Sequence, residues 1–396
     1  MEEKKLNIGL FIDTFYPMVD GVIMVVDNYA RNLSKFANVT VFAPVTKGNF
    51  EDSTLPYKVV RSKSIRVPFF DYDLPTPKFG SKFKKAIKDA NLDIIHIHSP
   101  FGIGKMASSY GKKHNIPVIA TMHSQYKQDF YKATRNNFIT KMLLKSIVKV
   151  FNNCDVLWTM NHACEKLARE YGVKIPINII TNATNLVNNF TATEIEGFKK
   201  EICAKYDIKD DEKILLSIGR INKLKNIDLT LSSCKVLTDK NFKYKLLIIG
   251  DGADMGYFVS RTRKLGIENN CIFVGKVVDT NEKCKYFSSA DLHVFPSFYD
   301  TDGIVRIEAA SFNLPTLFAE GSIAGSAIIK DVNGFSAKAE PIPFADEIIK
   351  IFNNHQLYEK VQENCYKDIY ITFDKLAKIV YEKYINLIND TKKQLQ

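Results

Sequence analysis

Two cationic side chains follow a segment that has the pattern of a buried strand. Residues 213–218 form that predicted strand, Gly219 comes next, and Arg220 and Lys225 follow it closely. A guanidinium and an ammonium beside a glycine at a strand end can neutralise a diphosphate, helped by the amides at the start of the next helix. The alternative is a solvated basic loop with no ligand.

A second segment, residues 296–309, also has the pattern of a strand end, a loop and a helix, and it carries Asp300 and Glu308. Glu308 lies inside the predicted helix, where a ribose hydroxyl pair would suit its carboxylate. Alternatively, Glu308 pairs with a lysine and Asp302 is only a helix N-cap. Three backbone amides at the loop are predicted to face an anion: those of Gly303, Ile304 and Val305.

The elements around these segments alternate in a way that is typical of βαβ units. Short β-branched runs are separated by helix-length amphipathic segments, and the alternation occurs twice. Ligands of such open sheets bind at the carboxyl ends of the strands, so these motifs should gather there. Strands are predicted at 6–12, 39–43, 57–61, 93–98, 116–122, 155–160 and 176–181, then at 213–218, 244–249, 271–275, 291–295 and 315–319.

Helices are predicted between these strands, and a final amphipathic helix is predicted over 372–390. The others are expected at 22–36, 80–90, 103–114, 137–152, 161–171, 193–205, 226–239, 254–265, 282–289, 303–312, 343–353 and 356–367. A chain of 396 residues fits two such domains. We predict an N-terminal domain over 1–190, a C-terminal domain over 191–370, and a helix over 371–396 that packs back on the N-terminal domain.

The composition indicates a globular protein of a reducing compartment. Hydrophobic residues make up 45% of the chain and charged residues 25%, close to the average for folded domains. The seven cysteines are scattered without a CxxC pair, which argues against a disulfide framework and a zinc site. Neither a signal peptide nor a membrane-spanning segment is expected, so we predict a cytoplasmic protein.

The net charge of +11 implies an anionic partner. The excess is concentrated in residues 101–150, which hold nine Lys or Arg and one acid, Asp129. Because apolar side chains are interleaved with these lysines, the segment favours an anionic membrane surface, together with the loop at 67–72. The alternative is a helix packed on its own domain with solvated lysines. No nucleic-acid recognition motif is found, so nucleic acid is not an expected partner.

Taken together, the motifs resemble retaining glycosyltransferases of family 4, which have the GT-B fold of two Rossmann-like domains facing across a cleft. The resemblance rests on motifs in family order: Gly219-Arg220 with Lys225-Asn226, Gly250-Asp251-Gly252, Phe273-Val274-Gly275, and Asp300 through Glu308. It implies that the C-terminal domain binds a nucleoside-diphosphate sugar through Gly219, Arg220, Lys225, Gly303, Ile304, Val305 and Glu308. One departure concerns donor choice, because Asp300 stands where the family has a glutamate that contacts the donor sugar.

The first half resembles the acceptor-side domain of that family, and more closely that of bacterial diacylglycerol glucosyltransferases. Gly21 would lie against the donor phosphate, and His123 corresponds to a histidine that faces the donor sugar. His96 and His98 are expected to have structural or supporting roles. Residues 180–185 stand at the family's domain crossing but lack its usual proline, glycine and aspartate, so no side-chain role is assigned to them.

These features predict a retaining hexosyltransferase that uses a nucleoside-diphosphate sugar, UDP-hexose above all. The expected catalytic residues are His123, Asp300, Arg220 and Lys225, and neither a metal nor another cofactor is expected. Asp300-Thr301-Asp302 spells the metal-binding D-x-D pattern, but its register is explained by the paired acids and by capping at Asp302. The expected acceptor is a membrane lipid such as diacylglycerol, which would place the protein peripherally at the inner face of the membrane.

The sequence is also compatible with other acceptors and other functions. A cell-surface polysaccharide or a lipid-linked glycan could replace the lipid as acceptor. A sugar-nucleotide epimerase would share the two-domain fold and turn over its substrate without an acceptor. A non-catalytic sugar-nucleotide-binding protein would account for Asp300. The sequence does not fix the oligomeric state.

Overall fold

The computed structural model describes residues 5–65, 74–77 and 80–395. The predicted loop at 67–72 lies outside the described residues. The chain divides into two compact units, Met1–Thr181 with Phe373–Gln396, and Asn182–Thr372. The boundary between Thr181 and Asn182 therefore lies earlier in the chain than the predicted boundary at 190. Residues 182–190 go with the second unit because Leu186 belongs to the apolar core of its sheet and Phe190 packs against that core.

Unit 1 is built on a seven-stranded parallel sheet of order β3-β2-β1-β6-β7-β8-β9. Strand β1, inside this sheet, is buried on both faces, as expected for a parallel strand covered by helices on each side. A short antiparallel pair, β4 and β5, forms a separate two-stranded sheet. The strands are β1 (Asn7–Phe11), β2 (Asn38–Pro44), β3 (Lys58–Ser62), β4 (Ser64–Ile65), β5 (Leu74–Pro75), β6 (Ile94–Ile97), β7 (Val118–Thr121), β8 (Val156–Thr159) and β9 (Ile177–Ile179).

Unit 2 is built on a six-stranded parallel sheet of order β12-β11-β10-β13-β14-β15. Leu215 of β10 and Tyr244 of β11 lie in its core, where they join Leu231, Phe258 and Phe335. The strands are β10 (Lys213–Ile218), β11 (Tyr244–Ile249), β12 (Cys271–Gly275), β13 (Leu292–Phe295), β14 (Thr316–Ala319) and β15 (Phe335–Ala337). The prediction of two Rossmann-like parallel-sheet domains is confirmed.

The α-helices cover both sheets, and each begins close to its predicted position where one was predicted. In chain order they are α1 (Gly21–Leu33), α2 (Ser81–Asp89), α3 (Gly102–His114), α4 (Tyr126–Thr134), α5 (Asn137–Phe151), α6 (His162–Tyr171), α7 (Ala192–Tyr206), α8 (Ile227–Asp239), α9 (Met255–Leu265), α10 (Thr280–Ser289), α11 (Ile304–Ala310), α12 (Pro341–Asn353), α13 (His355–Ile369) and α14 (Phe373–Leu395).

The last helix, α14, belongs to unit 1. Its buried side chains recur with helical spacing at Leu376, Val380 and Tyr384, so one stripe faces the unit. It packs against α1, and the Lys35 ammonium lies 2.8 Å from the Asp374 carboxylate at its start. The chain thus returns to its first unit after completing the second sheet.

Helix α4, strand β15 and the β4–β5 pair were absent from the sequence prediction. Helix α4 exposes most of its residues and buries only Tyr126 fully, so it lacks the apolar stripe on which the prediction depends. Strand β15 has three residues and adds only the edge of the second sheet. The β4–β5 pair has two residues in each strand, too few for a period-two pattern.

Candidate functional site

The turn that follows β10 presents Arg220 at the carboxyl edge of the second sheet. Its backbone is held by two 2.9 Å hydrogen bonds, from Gly219 N to the carbonyl of Ile249 and from Ile221 N to the carbonyl of Asp251. A Cβ on Gly250 would lie 1.8 Å from the Gly219 carbonyl oxygen, so only glycine fits there. The packing of the two turns fixes the backbone beneath the exposed Arg220 side chain.

Lys225 and Asp300 form an ion pair at the same edge. The Lys225 Nζ atom lies 2.5 Å from Asp300 Oδ1, and Ser297 Oγ donates to Asp300 Oδ2 at 2.5 Å. Both charged side chains are only about one-fifth exposed. The structure therefore brings together the residue expected at the leaving diphosphate and the acid expected at the donor sugar. Gly219, Arg220, Lys225 and Pro296 line one depression beside this pair.

Glu308 has one oxygen paired and the other without a partner. Its Oε1 atom accepts a 2.7 Å bond from Lys283 Nζ on α10, so the lysine partner considered in the sequence analysis is present. Its Oε2 atom is buried and has no hydrogen-bond partner among the described residues. An ionised carboxylate oxygen removed from water needs a donor. Glu308 can thus still accept hydrogen bonds from a ligand hydroxyl.

Gly303 is required by the loop that carries Asp300. Its φ is +69°, and a Cβ would lie 2.9 Å from the Phe295 ring. The neighbouring Ile304 and Val305 open helix α11. The anion-binding role of these three amides stays a prediction.

Asp302 is not a helix N-cap, because Gly303 occupies that position and makes no side-chain cap. Its buried carboxylate pairs instead with Arg306, whose Nη2 lies 2.5 Å from Oδ1. The side-chain amide of Asn182 donates to the other oxygen, Oδ2, at 2.9 Å. The first residue of unit 2 is thereby fixed to the loop of the candidate site. Asp300 and Asp302 each contact a cationic side chain, and neither contact was predicted from the D-x-D pattern.

Replacing Arg306 by methionine is expected to lower the free energy of unfolding by about 3–5 kcal/mol, because the Asp302 charge would stay buried without its cation. The two side chains are 4% and 2% exposed. Equilibrium urea unfolding measures the loss. The control is Lys350→Met, which removes the 56% exposed partner of an ion pair with Glu347 and should cost about 0.5 kcal/mol. Equal losses in the two variants would contradict the assigned role of the buried pair.

The predicted residues of unit 1 follow strands of the first sheet. Gly21 is the first residue of α1, which Asp20 caps through a 2.8 Å bond from the Ile23 amide. His123 follows β7, and its Nε2 atom lies 3.1 Å from Nδ1 of His98. Burial lowers the pKa of His98 well below its usual range. The assignments of Gly21 and His123 to the donor remain predictions from the family resemblance.

One face of α5 combines cationic and apolar side chains, and we call it the basic face. The opposite face packs inward through Ile147 and Phe151. Phe138 and Met142 on the basic face are 77% and 56% exposed. Its members recur with helical spacing and are all exposed: Phe138, Lys141, Met142, Lys145 and Lys149. None of its lysines forms an ion pair with a described residue, and no helix within the described ranges is long and apolar enough to cross a membrane.

Comparison with known proteins agrees with this architecture. Residues 19–187 match Glycosyltransferase Family 4, and residues 198–368 match Glycosyl transferases group 1. An alpha-monoglucosyldiacylglycerol synthase of Streptococcus pneumoniae is 28% identical over 97% of this chain and 86% of its own length. A protein of the same description from Acholeplasma laidlawii is 23% identical over 98% of this chain and 99% of its own.

Solved structures share the fold at low sequence identity. Sucrose-phosphate synthase from Thermosynechococcus elongatus superposes with a TM-score of 0.77 at 18% identity, covering 98% of this chain and 100% of its own. Anabaena HepE in complex with UDP superposes with a TM-score of 0.76 at 14% identity, covering 96% and 99%. With both halves matched in order, the chain consists of a Glycosyltransferase Family 4 domain followed by a Glycosyl transferases group 1 domain. It is a hexosyltransferase.

Two contacts of the site were missed by the sequence analysis. Lys283 lies on another helix from Glu308, and Asn182 lies 120 positions before Asp302. The only sequence signal for Lys283 is its position at the start of a predicted amphipathic helix in the nucleotide-binding half. For Asn182 the signal was its place at the domain crossing.

Proposed function

We propose that this protein transfers a hexose from UDP-hexose to a hydroxyl of a membrane lipid such as diacylglycerol, with retention at the anomeric carbon. The observation that carries the donor assignment is the buried, unpartnered Oε2 of Glu308. A ribose offers two adjacent hydroxyl donors, one of which would satisfy this oxygen while Lys283 keeps the other oxygen. Arg220 and Lys225 lie in the same unit for the diphosphate that follows the ribose.

Transfer of the sugar leaves negative charge on the departing diphosphate. Arg220 has an exposed guanidinium, and it forms no ion pair with a described residue, so it is available to a ligand. Lys225 would exchange part of its contact with Asp300 for a phosphate oxygen. Two preorganised cations at the developing charge stabilise the transition state more than the ground state. In this proposal they perform the charge stabilisation that a metal ion performs in other transferases.

The retaining step is proposed as a front-side displacement. The acceptor hydroxyl attacks the anomeric carbon from the side of the departing diphosphate, and its proton passes to the leaving phosphate oxygen. The bond from that carbon to the phosphate oxygen breaks as the new glycosidic bond forms. This chemistry follows from membership of the family, and His123 is proposed to contact the donor sugar on the same ground.

The relatives support glucose as the sugar and a lipid as the acceptor. The Streptococcus pneumoniae and Acholeplasma laidlawii proteins are described as alpha-monoglucosyldiacylglycerol synthases. Anabaena HepE has been solved in complex with UDP-glucose. Asp300 is a carboxylate held by Lys225 and Ser297, so its reach to the sugar is shorter than that of a glutamate. Donor choice is therefore the property of this protein that we expect to depend most on Asp300.

The basic face supports a location at an anionic membrane surface. Its lysines can interact with acidic headgroups while Phe138 and Met142 enter the interfacial region. Each lysine near such a surface contributes about 1 kcal/mol. A membrane-bound enzyme would meet a lipid acceptor without extracting it into water.

Replacing Lys141, Lys145 and Lys149 together by serine is expected to weaken binding to phosphatidylglycerol vesicles about a hundredfold, since about 3 kcal/mol of attraction is lost. Vesicle sedimentation over a lipid titration measures the change. The matched control replaces Lys84, Lys85 and Lys88 of α2, which are equally exposed. If vesicle binding weakened equally in both triple variants, or did not weaken in either, the result would contradict the membrane role of the basic face.

The proposed activity is tested by supplying UDP-glucose, labelled in the sugar, together with phosphatidylglycerol vesicles that contain diacylglycerol. Labelled glycolipid and free UDP are the expected products. A parallel panel of GDP-mannose, UDP-galactose and UDP-N-acetylglucosamine establishes which donor Asp300 permits. Transfer to a glycan acceptor but never to lipid would favour the polysaccharide alternative.

A further inference from the structure

Three histidines of unit 1 form a continuous group, in which His96 and His98 are buried and His123 is partly exposed. The rings of His96 and His98 are 4.1 Å apart, and those of His98 and His123 are stacked with centroids 5.3 Å apart. His96 uses both ring nitrogens: Nδ1 lies 2.6 Å from the Tyr384 hydroxyl and Nε2 lies 2.7 Å from Thr121 Oγ1. His96 is thus fixed by hydroxyl partners on two sides.

His98 differs from His96 because only one of its ring nitrogens has a hydrogen-bond partner among the described residues. Its Nδ1 atom lies 3.1 Å from Nε2 of His123. Its Nε2 atom is buried and has no hydrogen-bond partner among the described residues. Burial, with smaller contributions from His96 and His123, lowers the pKa of His98 well below its usual range, so the ring is neutral and carries one proton.

That single proton can lie on either nitrogen of His98, and the two tautomers differ in free energy. On Nε2 it would form a buried N–H group with no acceptor, and such groups are rarer in proteins than unsatisfied acceptors. On Nδ1 it donates to Nε2 of His123 and only a lone pair is left unpartnered. The second placement therefore makes the hydrogen bond and avoids the orphaned donor.

We propose that His98 is a positioning residue that donates from Nδ1 to His123 and so holds His123 in the tautomer protonated at Nδ1. The inference deepens the proposed function, because it rests on His123 contacting the donor sugar. In this tautomer His123 donates hydrogen bonds from its Nδ1 atom. The lone pair of its Nε2 atom accepts the hydrogen bond from His98. A neutral imidazole adds no positive charge beside a sugar whose anomeric carbon becomes cationic during transfer.

The tautomer is read directly from two-dimensional ¹H–¹⁵N spectra of the imidazole nitrogens in the full-length protein. The signals of His123 are assigned by their loss in His123→Gln. We expect the wild-type spectrum to show His123 protonated at Nδ1. His98→Leu should shift His123 towards the Nε2-protonated tautomer. His98→Asn, whose amide can donate from nearly the same place as Nδ1, should preserve the wild-type pattern.

Kinetics with the active donor provide the second measurement. His98→Leu is expected to lower kcat about ten- to a hundredfold, the range typical when a partner that orients a ligating histidine is removed. The KM for the nucleotide sugar should change little, and His98→Asn should recover most of the turnover. His96→Leu is the matched control, because His96 is also fully buried and its two ring nitrogens contact the hydroxyls of Tyr384 and Thr121. It should leave the His123 tautomer unchanged.

A wild-type His123 protonated at Nε2, or an unchanged spectrum in His98→Leu, would overturn the proposal. Loss of the tautomer in His96→Leu as well would assign the effect to packing and also overturn it. The spectra need no substrate. The predicted tautomer in a protein that transfers no sugar would therefore refute the proposed function and leave the hydrogen-bond assignment standing.

Discussion

Replacing Arg220 by methionine is expected to lower kcat about 10²–10³-fold, or about 2.7–4 kcal/mol in transition-state stabilisation. The guanidinium stands at the carboxyl edge of the second sheet on a turn held by the Gly219 and Ile221 amides. Charge on the diphosphate grows as the bond to the sugar breaks, so the cation contributes more in the transition state than in the bound donor. Steady-state turnover at saturating donor measures this loss.

The structure offers a matched control in Arg263, which is also exposed and lies in the last turn of α9. Arg263→Met removes the same charge from unit 2 without touching the turn that follows β10. We expect its kcat to stay within about twofold of wild type, as for surface substitutions away from a site. An Arg220→Met enzyme as active as the Arg263→Met enzyme would show that the turn does not serve the leaving group.

Replacing Glu308 by glutamine is expected to weaken UDP binding about ten- to a hundredfold. The amide keeps the size of the side chain but loses the charge that pairs with Lys283 and accepts from the ribose hydroxyls. A hydrogen bond to a charged group contributes about 1.5–3 kcal/mol, which corresponds to this change in affinity. Titration calorimetry with UDP measures the dissociation constant without requiring an acceptor.

Glu282 provides the control for this substitution. It lies on α10 beside Lys283, but its side chain is 44% exposed and its contact with Lys205 is 3.7 Å long. Glu282→Gln should bind UDP as the wild type does. If Glu308→Gln also bound UDP with wild-type affinity, the buried oxygen would have another purpose and the donor site would lie elsewhere.

Much of the fold follows from patterns that the chain carries locally. The buried strand at 213–218 and the helix at 137–152 were predicted within a residue or two of their observed ends, because one has a continuous apolar run and the other an apolar stripe. Helix α4 was not predicted because it exposes most of its residues and lacks an apolar stripe. Strand β15 was not predicted because a three-residue edge strand is recognised by its pairing with β14 and not by its own sequence pattern.

The candidate site was predictable at the level of residue types and strand ends. Arg220, Lys225, Asp300 and Glu308 all follow or flank strands of one parallel sheet, as the rule for open α/β sheets requires. Their partners were not predictable, because a pairing such as Lys283 with Glu308 depends on how two helices pack. The capping role expected for Asp302 was wrong for the same reason: Arg306 and Asn182 reach its carboxylate only in the folded unit.

Selection of the donor sugar is proposed to depend on Asp300. An aspartate at position 300 forms bonds with Lys225 and Ser297, two groups that a longer side chain would meet differently. Because Lys225 is also proposed to bind the diphosphate, we expect donor binding and sugar selection to be coupled at Asp300. The donor panel described above therefore reports on Asp300 as well as on the reaction.

The most direct test of hexose transfer with retention is the anomeric configuration of the product. The enzyme is incubated with UDP-α-glucose and diacylglycerol in phosphatidylglycerol vesicles, and the purified glycolipid is analysed by ¹H NMR. Transfer with retention predicts a glucosyl lipid whose anomeric proton has the small coupling constant of an α-linkage. A β-linked product would contradict retention, and hydrolysis or epimerisation of the donor with no glycosylated acceptor would contradict transfer itself.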